Sequence, residues 1–274
     1  MAKIDIEQVA AIIREVADTL IMPRWRNLAA HEIGSKSRPD DIVTIADREA
    51  ETELTRRLAA LLPGSKVVGE EAVAADAGIL ELFRGEGLLW VIDPIDGTRK
   101  FADGKPAFDV LVALIEGGRG VAGWILAPAE GDHYMGEAGG GVVHRRPGAA
   151  EQRVRATSRR ALGELQGIVT ARAFANRGLA DPEAMRGRFR GFSPHLCAGH
   201  NYGRLLRGEC DFLINFATLP WDHLAGLTLA AEAGFHGARH DGARYDPLDT
   251  RGGILVAPDA RSWREILATL LRPG

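Results

Sequence analysis

The stretch Trp90-Val91-Ile92-Asp93-Pro94-Ile95-Asp96-Gly97-Thr98 decides the reading of this chain. Leu88 to Ile92 is a continuous apolar run, the pattern of a buried strand, and Asp93-Pro94 predicts its abrupt end. Asp93 and Asp96 then stand three residues apart at the carboxyl end of a strand, where α/β proteins commonly bind ligands. Pro94 fixes a bend between them, so both can face one point. Gly97 and Thr98 offer unhindered N–H groups and a hydroxyl, which suit a phosphate if a helix begins there. Taken alone, the same residues also read as a turn rich in Asp, Pro and Gly that simply ends the strand.

Upstream, Ile6, Val9, Ile13, Val16 and Leu20 recur at helical spacing and predict an amphipathic opening helix. Ser35 to Asp41, with Pro39, reads as a loop. Thr44 and Asp47 form a capping pair for a second helix through Ala50, Leu54, Leu58 and Leu61, stopped by Pro63-Gly64. Lys66 to Val68 is a short strand ending at Gly69-Glu70-Glu71. Downstream, Phe108–Ile115 and Val121–Leu126 predict paired strands around Gly117-Gly118, and Gly139-Gly140-Gly141 a hairpin turn. The stretch Arg145 to Glu151 is the expected boundary between an α+β subdomain, residues 1–148, and an α/β subdomain, residues 149–274, within one compact unit. Beyond it, strands are expected at Gly167–Thr170, Phe212–Phe216 and Gly253–Val256, and helices at Gly199–Arg207, Trp221–Ala233 and Ser262–Leu271.

Bulk properties exclude several function classes. With 274 residues, 46 % apolar and 26 % charged, the chain is an ordinary globular one. A net charge of −3 gives no electrostatic case for a nucleic-acid partner or an anionic membrane surface. No segment reaches the roughly 20 apolar residues of a membrane span, and Met1 to Gln8 carries early acids in place of a secretion signal. Cys197 and Cys210 cannot make a disulfide framework, so a cytoplasmic location is expected.

Three further acidic elements accompany the central stretch: Asp41 to Asp47 at a helix start, Gly69-Glu70-Glu71 at a strand end, and Trp221-Asp222 opening an apolar helix. Each has a plain structural explanation, with Asp47 as a cap, Asp222 as an N-cap, and Glu70 and Glu71 as solvated acids. The ordered set, with Asp93-Pro94-Ile95-Asp96-Gly97-Thr98, resembles the inositol monophosphatase family, the lithium-sensitive phosphatases that include fructose bisphosphatases, bisphosphate nucleotidases and some histidinol-phosphate phosphatases. The resemblance runs from about Ile6 to Ala257. It implies a layered αβαβα sandwich, a homodimer, and hydrolysis of a phosphate monoester of a small soluble metabolite.

The ligand chemistry agrees. All the candidate donors are oxygens, so a hard octahedral cation is expected and Zn²⁺ is not. Two carboxylates about 4 Å apart repel by roughly 4 kcal/mol at an effective dielectric near 20, so converging acids need a cation or bound protons. The resemblance implies that Glu70, Asp93 and the Ile95 carbonyl bind one Mg²⁺, and Asp93, Asp96 and Asp222 a second, with Mn²⁺ able to substitute. It places the ester phosphate against Gly97 and Thr98, a water oriented by Glu70 and Thr98, and Asp47 holding Thr98.

The substrate wall departs from the inositol pattern. Asn215 stands where inositol-specific relatives carry an acid, Leu196-Cys197-Ala198 replaces Gly-Ser/Thr-Ala, and Arg99-Lys100 follows Gly97-Thr98. The Arg99 variant is similar to histidinol-phosphate phosphatases and, more loosely, to bisphosphate nucleotidases. A non-catalytic metal- or ligand-binding regulatory protein is the reading from a different class, and retention of all six acids and hydroxyls opposes it. Lys36 lies in a loop and carries little weight, Arg153, Arg155, Arg159 and Arg160 read as a solvated edge, and the cysteines as small hydrophobes. The eight histidines show no ligand spacing.

Overall fold

A computed structural model of the chain describes residues 4–36, 41–157, 159–169, 185 and 187–270. Residues 37–40 of the expected loop, Thr170 of the expected strand and Leu271 of the last helix lie outside the described residues.

Asp5 caps helix α1 (Ile6–Val16) by accepting from Glu7 N and Gln8 N, and the chain continues as one π-helical turn, Ala17–Ile21. A short hairpin, β1 (Ile33–Ser35) and β2 (Ile42–Thr44), leads into α2 (Ile45–Leu61). Strands β3 (Lys66–Gly69), β4 (Leu88–Asp96), β5 (Asp109–Glu116), β6 (Arg119–Ala127), β7 (Asp132–Glu137), β8 (Gly141–Arg145) and β9 (Gln152–Val154) form a seven-stranded sheet in chain order. Only β3 and β4 run parallel; the remaining neighbours in the sheet pair antiparallel. The turns at 117–118 and 139–141 fall where their glycines placed them. This sheet takes its last strand from residues beyond 148, because Val142 to His144 of β8 pair with Gln152 to Val154.

The second sheet has five strands in the order β11 (Gly191–Ser193), β10 (Gln166–Ile168), β12 (Phe212–Asn215), β14 (Ile254–Ala257), β13 (His236–Arg239). Three described helices accompany it: α5 (Ala198–Leu206), α6 (Pro220–Ala233) and α7 (Ala260–Leu270). Within the first sheet, α3 (Glu70–Ala75) lies between β3 and β4, and α4 (Thr98–Ala102) between β4 and β5.

The layers follow from strand alternation. Along β5, Val110, Val112 and Leu114 face one core with α1 and α2, while Leu111, Ala113 and Ile115 face another with α5 and α6. Leu213, Ile254 and Val256 of the second sheet close that middle core from the far side. Phe212, Ile214, Leu255 and Ala257 point outward onto Trp263, Ile266 and Leu270 of α7. The order is helices, sheet, helices, sheet, helix: the αβαβα sandwich. Both faces of the central strands are covered, which is why they read as unbroken apolar runs.

One expectation fails here. β4 does not end at Asp93 but continues to Asp96, since β5 goes on pairing with it. Asp93 lies opposite Leu111 and Asp96 opposite Asp109, so three steps on β4 match two on β5. That is a bulge of one residue, and it sits at Pro94, which has no N–H to give the ladder.

Candidate active site

The bulge supplies the geometry that a regular strand could not. Side chains alternate along a strand, so residues three apart point to opposite faces; one extra residue brings Asp93 and Asp96 back to the same face. The Ile95 N–H donates to Asp93 Oδ1 at 3.1 Å, and Ile95 itself is fully buried in the core beneath. Gly97 follows with φ of 89°, where a Cβ would stand 3.0 Å from the Ala107 carbonyl oxygen and 3.1 Å from Cys197 Cβ. Glycine is therefore required twice over, by conformation and by space. Thr98 then opens the five-residue α4.

Asp222 arrives on α6, the helix that follows β12 of the second sheet. Helix α6 starts at Pro220 with Leu219 as its N-cap residue, so Asp222 lies in the first turn and is not the cap. Carboxylate oxygens of Asp93, Asp96 and Asp222 all lie within 4.8 Å of one another. Burial, then the charges of Glu70, Asp96 and Asp222, push Asp93 well above the usual carboxylate range. Burial, then Asp96 and Glu70, do the same to Asp222. Asp96 is pushed up to about 7 by burial and by Asp109, against the N–H of Gly199, which donates to it at 2.5 Å.

Glu70 begins α3 beside this group. It is not a solvated acid: Lys36 Nζ lies 2.7 Å from Glu70 Oε1 and 2.6 Å from Glu71 Oε1. Burial lowers the ammonium's pKa, but the charges and bonds of Glu70 and Glu71 outweigh it and raise it overall. Glu51 of α2 holds the start of α3, accepting from Glu71 N and Ala72 N, both at 2.8 Å. Its carboxyl carbon lies 2.2 Å from where a Cβ of Gly69 would be, so a side chain there would push the carboxylate off these bonds.

Asp47 is fully buried and does two things at once. Its Oδ2 accepts from Thr44 N at 2.8 Å and from Thr44 Oγ1 at 2.5 Å, the reciprocal cap of α2. Its Oδ1 lies 3.1 Å from Thr98 Oγ1, which also stands 3.0 Å from the Ile95 carbonyl. The hydroxyl has one proton for two acceptors. Burial pushes Asp47 up to about 6, only partly offset by the Thr44 bonds. At neutral pH the residue is ionised and is the stronger acceptor for the Thr98 proton.

Of the residues expected to face the substrate, Ala198 opens α5 and Asn215 ends β12, both buried. His195, in the connection before α5, has its pKa lowered chiefly by burial.

Comparison with known proteins follows the same lines. The sequence model of the inositol monophosphatase family matches residues 3–273. The chain belongs to this family. A fructose-1,6-bisphosphatase/inositol-1-monophosphatase of Thermotoga maritima is 29% identical over 224 residues, 81% of this chain and 80% of that one. A histidinol-phosphatase of Mycobacterium tuberculosis is 29% identical over 273 residues, 96% of each. The solved structure of a Thermotoga maritima IMPase superimposes with a TM-score of 0.77 at 26% identity, covering 96% of each chain.

As an inositol monophosphatase family member, the protein is a metal-dependent phosphatase that hydrolyses phosphate monoesters of small molecules. No described helix is long and apolar enough to cross a membrane. Sequence reasoning gave too little weight to Lys36, whose position is set by a loop, and missed Glu51, a carboxylate on the buried face of α2. It also left out Asp109, which lies behind Asp96 and touches Cys197 and His200. The arginines behave as a solvated edge, with Arg159 paired to Glu265 at 3.3 Å and Arg160 to Asp211 at 3.4 Å.

The raised acids predict how the metal-free protein responds to pH. Asp47 at about 6, with Glu51, Glu71 and Asp96 each at about 7, all lie above their unfolded values near 4. Such groups contribute stability that is fully present below the unfolded value and lost as pH rises through the folded one. In excess chelator, thermal melting should therefore occur at a higher temperature at pH 5.5 than at pH 8, with most of the change between about 5 and 7. A melting temperature that rises over that interval would show that these carboxylates are not uncompensated.

Proposed function

We propose that the chain is a Mg²⁺-dependent phosphatase acting on a small polyol or amino-alcohol phosphate. The observation that carries this is the convergence of oxygens from buried Asp93 and Asp96 and half-buried Asp222 within 4.8 Å. Six oxygens around Mg²⁺ at about 2.1 Å lie roughly 3 to 4.2 Å apart, so the group fits that ion, and it offers no soft donor. Asp93, Asp96 and Asp222 would hold one ion, and Glu70, Asp93 and the Ile95 carbonyl another. Bound there, Mg²⁺ supplies Lewis-acid stabilisation of charge on the phosphate and on the leaving oxygen. The remaining steps belong to the chain. Gly97 and Thr98 receive the phosphate. Asp47 draws the Thr98 proton toward itself, which leaves the hydroxyl oxygen free to accept from an attacking water, and Glu70 orients that water. Two buried free thiols, Cys197 and Cys210, fit a reducing cytoplasm, and the family resemblance favours a homodimer.

Phosphate release from inositol-1-phosphate, histidinol phosphate, fructose-1,6-bisphosphate and adenosine 3′,5′-bisphosphate tests this reading. Turnover should need Mg²⁺ or Mn²⁺ and stop with chelator. Because Asn215 stands where inositol-specific relatives carry an acid, inositol-1-phosphate should not lead the others by more than about tenfold in kcat/KM, roughly 1.4 kcal/mol. A histidinol-phosphatase relative matching 96% of the chain makes histidinol phosphate the first alternative. A larger lead for inositol-1-phosphate refutes the selectivity claim, and turnover in chelator refutes the metal claim.

Lys36 gives a second test. Its ammonium holds Glu70 in the place a cation would take, so Mg²⁺ must displace it. Lys36→Gln should lower the Mg²⁺ concentration for half-activation several-fold and lower the melting temperature of the metal-free protein, since Glu70 and Glu71 lose their counter-ion. Weaker Mg²⁺ activation in the variant would mean that Lys36 assists the metal instead.

A further inference from the structure

Behind Asp96 lies a second cluster whose donors are chemically unlike the first. Asp109 comes from the start of β5, Cys197 precedes α5, and His200 sits one turn along it. The spacing of three residues puts the thiol and the imidazole on one side of the helix. Cys197 Sγ is 3.1 Å and His200 Nδ1 2.5 Å from the same oxygen, Asp109 Oδ2, and all three residues are buried. The Ala107 carbonyl oxygen is 3.4 Å from the sulfur.

We propose that Asp109, Cys197 and His200 form a cation site for a borderline-soft divalent ion of the Zn²⁺ class, separate from the acid group that takes Mg²⁺. The three ligand atoms lie within 4.8 Å of one another, and sulfur, nitrogen and oxygen together are the donor set such ions select. The Ala107 carbonyl is the neighbouring oxygen that can complete four-coordination. A second observation points the same way. His200 Nε2 is buried and makes no hydrogen bond among the described residues, yet Glu130 Oε1 is 3.5 Å from it. When an imidazole binds a metal through one nitrogen, the other carries the proton and gives it to a carboxylate, and Glu130 is already in that place.

The exchange balances. The cation displaces the thiol proton from Cys197; a neutral His200 moves its remaining proton to Nε2, and a charged one also releases its Nδ1 proton. The site gains two positive charges and loses one or two protons, and no oxidant or reductant is involved. Since Cys197 also borders Gly97, and Gly199 N–H holds Asp96, occupancy reaches the phosphate site through two backbone neighbours.

Co²⁺ titration tests the proposal, because cobalt bound to a thiolate shows an intense near-ultraviolet charge-transfer absorption that oxygen ligands do not. One equivalent per chain should produce that absorption in the wild type. It should persist in Asp93→Asn and Cys210→Ser, vanish in Cys197→Ser, and be displaced by Zn²⁺. Its absence in the wild type, its survival in Cys197→Ser or its loss in Cys210→Ser overturns the site. Glu130 is 38% exposed, so Glu130→Gln keeps the fold even if Cys197→Ser does not. That variant should bind Zn²⁺ about tenfold or more weakly in competition with a chromophoric chelator; unchanged affinity overturns the proposal.

Discussion

Replacing Asp93 by Asn should lower phosphate release about a thousandfold, the cost of losing some 4 kcal/mol of metal-assisted charge stabilisation, while the metal-free fold stays as stable or gains. Asp93 stands between the two proposed cation positions, so one lost charge weakens both. The fold has no need of that charge. Burial and three neighbouring carboxylates already oppose its ionisation, and an amide of the same size can still accept from the Ile95 N–H. Mg²⁺ should raise the melting temperature of the wild type clearly and that of Asp93→Asn little, since only a ligand that binds the folded state shifts unfolding. A purely structural Asp93 predicts the reverse: a destabilised protein whose folded fraction turns over normally. A stable Asp93→Asn enzyme with near-wild-type turnover would end the mechanism.

Asp47→Asn is expected to cost about a hundredfold in kcat, within the range for positioned proton-transfer groups, with little change in KM. The reason is hydrogen-bond polarity. Thr44 N–H and O–H both point at Asp47, so an Asn must turn its oxygen to them and its NH₂ to Thr98. Thr98 then accepts where it donated, and its proton goes to the Ile95 carbonyl. The cap of α2 survives and the water-facing lone pair does not. Wild-type kcat should fall toward acid pH as Asp47 takes up its proton, at a lower pH than in the metal-free protein because bound cations favour the carboxylate, and Asp47→Asn should lack that limb. Thr98→Val should match the amide variant, and Thr98→Ser should retain most activity. Equal losses in kcat and melting temperature for Asp47→Asn would reduce the residue to a helix cap.

Much of the architecture was legible because it rests on local signals. The apolar runs of β4, β5 and β6, the Thr44–Asp47 cap and the glycine hairpins each carry their own pattern. The acids could be read because hydrophobic elements deliver them where packing has no use for charge. What escaped depends on partners distant in the chain. Asp93-Pro94 looks like a stop because its bulge exists only in the pairing with Leu111 and Asp109. Glu51 looks like a surface acid until α3 presents its free N–H groups to it. Cys197 and His200 gain a meaning only through Asp109, 88 and 91 positions away in sequence. Lys36 is placed by a charge attraction that no periodicity records.

The two halves of the site are anchored differently, and this bears on how such a chain diversifies. Asp93 and Asp96 share an interior strand with Trp90 and Ile92, so the proposed metal ligands are inherited together with the core. Asn215, His195 and Ala198 sit at the tip of a strand, in a connection and at the mouth of a helix, where a side chain can change without disturbing a layer. If these residues face the substrate as proposed, descendants can exchange one phosphorylated metabolite for another by single replacements there, keeping the acids that the core strand carries.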